Sequence, residues 1–242
     1  MPVAFLGTFG GAIDFIFNSQ ASSDVGGGRQ HGGLSEVGDL IWNQIEVSAL
    51  ALAVALLIAL PLGLYLGHRG KGEMLAIAIG NAGRAIPELA LIAFMVAFVG
   101  VGLLNVTIAL MVLGIPPILT NTFVGIRQVD RGAVEAARGM GMTAWEVLRR
   151  VELPLAVPTI MSGVRTAAIN IIATSTIASL AGVTTLGDLI INEGVYGEQG
   201  VLAGAILVAV LALTAEFLLA GLQRLLTPRG LELQREVARS GG

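Results

Sequence analysis

LALIAFMVAFVGVGLLNVTIALMVLGIPPILTNTFVGI, residues 89–126, runs for 38 residues without a charged side chain. As one helix rising 1.5 Å per residue it would be about 57 Å long, almost twice the ~30 Å hydrocarbon core of a bilayer. It must therefore fold back on itself, and Gly100-Val101-Gly102-Leu103-Leu104-Asn105 is the natural reversal. The stretch reads as parts of two membrane spans, near 76–99 and 105–126.

The rest of the chain supplies more spans of the same kind. Residues 47–67 are 21 positions free of charge, with Pro61 near the far end. Residues 166–187 give another span, beginning near Ala156 and so including Arg165. Residues 201–223 give the last, interrupted by Glu216. Only 13% of the 242 residues are charged while 55% are hydrophobic, and the mean hydropathy is +0.82. A soluble domain carries roughly 25% charged residues, so most of this chain has no water-facing side to decorate. The fold class is an all-α integral membrane protein with about five transmembrane helices. Abundant glycine, 33 residues, suits helices that pack closely in lipid.

Composition also removes several classes of function. No cysteine is present, which excludes disulfides, thiolate metal sites and cysteine nucleophiles. The net charge of −3 includes no basic domain to suggest nucleic acid. His31 and His68 have no partner at metal-ligand spacing and read as exposed loop histidines, so neither a metal site nor a catalytic residue is expected. The first 13 residues are apolar but lack a basic start, and Asp14 interrupts them, unlike a secretory signal. Residues 3–18 suit a short interfacial helix, and the GGGRQHGG stretch at 26–33 suits a flexible connector.

Basic residues set the orientation. With an odd number of spans and the C-terminus inside, the inner segments hold Arg69, Lys71, Arg127, Arg131, Arg138, Arg149, Arg150, Arg224, Arg229, Arg235 and Arg239. Arg84 and Arg165 lie in or near spans, leaving Arg29 alone outside. The outer segments are acidic, with Asp14, Asp24, Glu36, Asp39, Asp188, Glu193 and Glu198. The expected layout is an extracytoplasmic segment over 1–40, a transmembrane domain over 41–225 and a cytoplasmic tail over 226–242.

The longest inner connection, 128–155, reads QVDRGAVEAARGMGMTAWEVLRRVELPL. Asp130 is a good helix N-cap, and Gly139 with Gly141 ends the helix that follows. Thr143 and Glu146 make a capping box for a second short helix, which Pro154 stops. The result is a helix–glycine–helix elbow, with Val134, Ala137, Trp145 and Leu148 on an apolar face.

Within that elbow, Glu135-Ala136-Ala137, three residues, Gly141, nine residues and Val151-Glu152-Leu153-Pro154 resemble the EAA motif of ABC-importer permeases, with valine in place of isoleucine. AIPELALIAF (85–94), GVGLLN (100–105), PPILTNTFVGIRQVD (116–130), VELPLAVPTIMSGVRTA (151–167) and TTLGDLI (184–190) resemble the osmoprotectant branch of that family. Glu88 stands where that branch usually has serine, and Thr120 where arginine is common. The similarity covers about residues 40–225.

The resemblance implies a type I ABC-importer permease fold, like that of the methionine importer. It implies that Glu135, Ala136, Ala137, Gly139, Gly141, Trp145, Leu153 and Pro154 engage a separate ATPase, present in two copies. ATP and Mg would be bound by that partner, since no GxxxxGK[ST] phosphate loop occurs here, and this chain would hold no cofactor. A second permease copy or a sister permease and an external solute-binding protein complete the implied assembly in the cell membrane. Its solute would be glycine betaine, carnitine or choline, with another small solute, an amino acid or a related compound, as the alternative.

Charges inside spans carry about 2.5–3.5 kcal/mol of insertion penalty at the helix centre, and so call for partners. Arg84 and Glu88, four apart around Pro87, read either as an ion pair near the inner interface or as a pathway contact. Arg165 and Glu216 are candidates for an interhelical pair. Pro87, Glu88, Asn121, Thr122, Thr174 and Ser175 are the candidates for lining a pathway, although hydroxyl and amide groups can equally satisfy their own helix or join helices. An ion-coupled secondary transporter would want repeats and midplane carboxylates. An intramembrane protease would want a Ser/His dyad or HExxH, and a scaffold would not need the elbow. None of these patterns fits as well.

Overall fold

The computed structural model describes residues 2–21 and 30–228. In chain order they form α1 (Pro2–Phe17), a ribbon of β1 (Ser19–Ala21) and β2 (Gln30–Gly32), α2 (Gly33–Arg69), α3 (Glu73–Ala85), α4 (Glu88–Val99) and α5 (Leu103–Arg127). There follow α6 (Arg131–Gly139), α7 (Ala144–Val147), a π-helical turn (Leu148–Glu152), α8 (Leu153–Thr174), a 3-10 turn (Ser175–Ala181), α9 (Gly187–Ile191) and α10 (Glu193–Leu226). The ribbon is antiparallel, with Gln20 opposite His31.

Among the described residues, four helices are long and apolar enough to cross a bilayer: Gly33–Arg69, Leu103–Arg127, Ala144–Ala181 and Glu193–Leu226. The broken pair Glu73–Gly83 and Glu88–Val99 makes a fifth if it counts as one span. The single span expected over 76–99, kinked at Pro87, is instead two separate helices. Ile86 and Pro87 are both extended, with ψ of 120° and 119°. The proline ring disfavours helical backbone in the residue before it, so the helix is interrupted outright at Ile86 and Pro87. The reversal after α4 falls where expected, held by Gly102 N donating to Ala181 O at 2.8 Å and Asn105 Nδ2 donating to Gly100 O at 2.6 Å.

Two compact units divide the chain. The first comprises Met1–Leu52, Pro87–Met111 and Asn170–Thr214. Its core joins Ala12 and Phe15 of α1, Val37 and Leu40 of α2, Leu186 and Leu189 around α9, and Ala203 of α10. The N-terminal helix is therefore a packed element of this unit. The connector expected over 26–33 lies outside the described residues as far as residue 29, while residues 30–32 are β2 and Gly33 opens α2. His31 is not an exposed loop histidine. It sits half-buried on β2, with Nδ1 3.4 Å from Glu36 Oε1 and its ring edge-on to Tyr196 at 5.2 Å.

The second unit comprises Ala53–Ile86, Val112–Ile169 and Ala215–Gly242, of which the tail beyond residue 228 lies outside the described residues. Ile126, Leu148, Ala156, Ile160 and Val164 form a core against Leu56, Leu60, Leu64, Val129 and Leu153. Here α2 approaches α5 through Gly63 and Gly67, a Gly-x3-Gly pair. A Cβ on Gly63 would stand 2.7 Å from Thr122 Cβ, and one on Gly67 2.8 Å from Ile126 Cβ. Small residues four apart let helix backbones meet in lipid, where van der Waals contact drives association.

Candidate functional site

The elbow assembles from local rules. Asp130 accepts a hydrogen bond from Ala133 N at 2.8 Å and starts α6. The helix closes on a glycine with φ of +84°, Gly141. Gly141 N donates to Arg138 O at 2.9 Å and Met142 N to Ala137 O at 3.2 Å, the pair of bonds of a Schellman ending. Gly139 is simply the last helical residue. Thr143 then opens α7 with both halves of the capping box in place: Glu146 N donates to Thr143 Oγ1 and Thr143 N to Glu146 Oε2.

Pro154 does not stop this second limb, contrary to the sequence reading. Helix runs on from α7 through the π turn into α8, and Leu153 N donates to Leu148 O, five residues back. Proline is tolerated in the first turn of a helix because its missing N–H would be unpaired there. The wide turn just before it gives Pro154 such a place inside a continuous helix.

Burial divides the elbow into a base and an apex. Ala137, Val147 and Leu148 are buried, as is Glu152, while Leu153 and Pro154 are half-buried. Glu135, Ala136, Gly139, Gly141, Arg138, Arg149 and Arg150 are exposed. So is Trp145 at 66%, beside Met140 at 72%. The expected apolar face is thus split: Ala137 and Leu148 face inward and Trp145 faces away from this chain. Large exposed apolar groups next to arginines are what a protein partner would cover.

Of the intramembrane candidates, Arg165 of α8 and Glu216 of α10 are brought together as an ion pair. The Arg165 guanidinium also donates to Gln223 Oε1 at 3.0 Å. Glu88 is exposed in the first turn of α4, and its pairing with Arg84 lies outside the described residues because the Arg84 side chain does. Asn121 Nδ2 donates to Pro117 O at 2.8 Å within its own helix. Thr122 is fully buried. Thr174 and Ser175 are buried too, where α8 gives way to the 3-10 turn. Gln44 Nε2 donates there to Ile172 O at 2.8 Å and Ser175 Oγ at 2.6 Å, and Ser48 Oγ lies 3.1 Å from the same hydroxyl.

Sequence reasoning missed Gln44 and Ser48, and the pair His68–Glu152. His68 Nδ1 lies 2.6 Å from Glu152 Oε2, and both side chains are largely buried, so His68 is not an exposed loop histidine either. The signal was present in Gln44, an amide just before an apolar run, and in Glu152, a carboxylate flanked by Val151 and Leu153.

Comparison with known proteins follows the same lines. Residues 59–229 match the family model of binding-protein-dependent transport system inner membrane components. The chain is 39% identical over 196 residues to the carnitine transport permease protein OpuCB of Listeria monocytogenes, covering 81% of this chain and 90% of that protein. It is likewise 39% identical to the choline transport system permease protein OpuBB of Bacillus subtilis, covering 81% and 91%. In fold it is similar to a solved inward-facing structure of the MetNI methionine ABC transporter, with a TM-score of 0.68 at 24% identity over 79% of this chain and 96% of that one. The chain belongs to the family of binding-protein-dependent transport system inner membrane components.

Proposed function

We propose that this chain is the membrane subunit of an ATP-driven importer of small quaternary-ammonium solutes such as carnitine, choline or glycine betaine. The observation that carries the reading is the elbow, a capped and closed unit whose base is buried and whose apex offers Met140 and Trp145 outward. Glu135, Ala136, Gly139 and Gly141 line that apex and allow close approach by a partner, while Ala137, Leu153 and Pro154 join it to α8. Relatives named for carnitine and for choline transport support the solute class.

On this reading two ATPase subunits hold ATP and Mg and bear on the elbow from the cytosol. A second permease, identical or a sister chain, completes the pathway, and an external binding protein delivers solute. The N-terminus lies outside and the C-terminus inside, as the basic residues dictate. Glu88, Pro87, Asn121 and Thr122 remain the candidate pathway residues. Thr174 is buried, and Ser175 would reach a pathway only if Gln44 released it.

The test is purification of the complex and reconstitution in liposomes with radiolabelled choline, carnitine and glycine betaine. Uptake that needs ATP inside and a co-purifying ATPase supports the proposal. Uptake by this chain alone would defeat it.

A further inference from the structure

Glu152 ends the π turn at the exit of the elbow, in the helix that packs through Leu148 and Leu153 on Ile126 and Leu64. A carboxylate in such a place needs a strong donor, because burying an unpaired charge is heavily penalised. His68, in the last turn of α2, provides it. Its Nδ1 lies 2.6 Å from Glu152 Oε2, with side-chain exposures of 16% and 7%. A carboxylate that is ionised only accepts, in which case Nδ1–H is the donor. The packing of Leu148 and Leu153 there is apolar, and apolar attraction has no preferred direction. A short charge-assisted hydrogen bond fixes both distance and angle.

We infer that His68 is a positioning residue of transport: through Glu152 it ties the elbow base to the end of α2, so that displacement of the apex is delivered to the span. This rests on the importer reading above. The pair is 84 residues apart in sequence and belongs wholly to the second unit.

The experiment uses the reconstituted complex with its ATPase and binding protein, and measures solute taken up per ATP hydrolysed with choline, carnitine and glycine betaine as probes. His68→Asn keeps a donor at the Nδ1 place, whereas His68→Gln moves it outward. The double variant His68→Leu with Glu152→Leu removes both polar groups and leaves no orphaned charge, an exchange that commonly preserves stability. If the link positions the elbow, the double variant assembles and hydrolyses ATP but takes up less solute per ATP by about fivefold or more. His68→Asn then stays near wild type and His68→Gln resembles the double variant. A merely structural pair predicts that the double variant, once stable, couples as wild type does, and that result overturns the inference. Failure of the wild-type complex to couple ATP to any probe would instead overturn the importer reading, and this one with it.

Discussion

Arg165 and Glu216 stand 51 residues apart in sequence and meet as an ion pair between α8 and α10. Gln223, further along α10, accepts a second hydrogen bond from the same guanidinium. Both charges lie in helices long and apolar enough to cross a bilayer, where each alone would be unfavourable.

Removing one partner should therefore do more harm than removing both. Glu216→Ala is expected to lower stability in detergent by about 1–3 kcal/mol, somewhat below a fully buried pair because both groups keep some solvent contact. Adding Arg165→Ala should recover most of that loss. Thermal unfolding followed by size-exclusion chromatography measures both, and the absence of recovery would dismiss the pair as a stability element.

Close approach of α2 and α5 makes its own prediction. Gly63→Ala places a Cβ 2.7 Å from Thr122 Cβ, and is expected to be destabilising by about 1–3 kcal/mol through overpacking. Gly38→Ala, in the same helix with open space around it, should be neutral or slightly stabilising. Equal unfolding temperatures for the two variants would refute the packing argument.

At Gly141 the space is open, but φ is +84°. Asparagine tolerates that backbone, so Gly141→Asn should leave the elbow intact, while Gly141→Ala should lose about 1 kcal/mol. Gly141→Trp is expected to reach the membrane in normal amount yet abolish uptake, because its bulk projects where a partner would sit. Normal solute uptake by that variant would count heavily against the coupling role.

Asp188, at the start of α9, offers a pH test. Burial raises its pKa above 3.8, against the opposing hydrogen bonds from Thr185 N and its own backbone N–H. A raised folded value means that the native state holds the proton more tightly. The stabilisation is complete below the unfolded value and disappears as pH rises through the folded one. Asp188→Asn retains an acceptor for Thr185 N and removes the burial penalty on charge. Its melting temperature relative to wild type should rise as pH is raised from about 4 into the neutral range. A constant difference across that range would refute the assignment.

Topology can be mapped directly because the chain has no cysteine. Glu193→Cys should react with an impermeant maleimide added outside intact cells, and Glu146→Cys only after the membrane is opened. The reverse pattern would invert the proposed orientation.

Much of this architecture was legible because the rules that make it are local. Charge-free runs near 47–67 and 105–126 became α2 and α5, and Asp130, Gly141 and the Thr143–Glu146 box formed the caps they spell. Beyond the pair Arg165–Glu216, what the sequence reading did not show was pairing at a distance. Whether Glu152 meets His68, or Gln44 meets Ser175, depends on which helix faces which, and hydropathy carries no such information. Pro154 was misread for a related reason. Its effect depends on the turn before it, and a π turn has no local signature comparable to a cap.

That turn has a mechanical meaning. With the hydrogen bond from Leu153 N reaching five residues back to Leu148 O rather than four, the helical ladder holds one extra residue at the point where Pro154 offers no N–H to restore the tighter register. On the proposed coupling role, force entering the second limb at Trp145 would cross this widened turn before it reaches α8. The joint between knob and shaft is thus a widened turn within one unbroken rod.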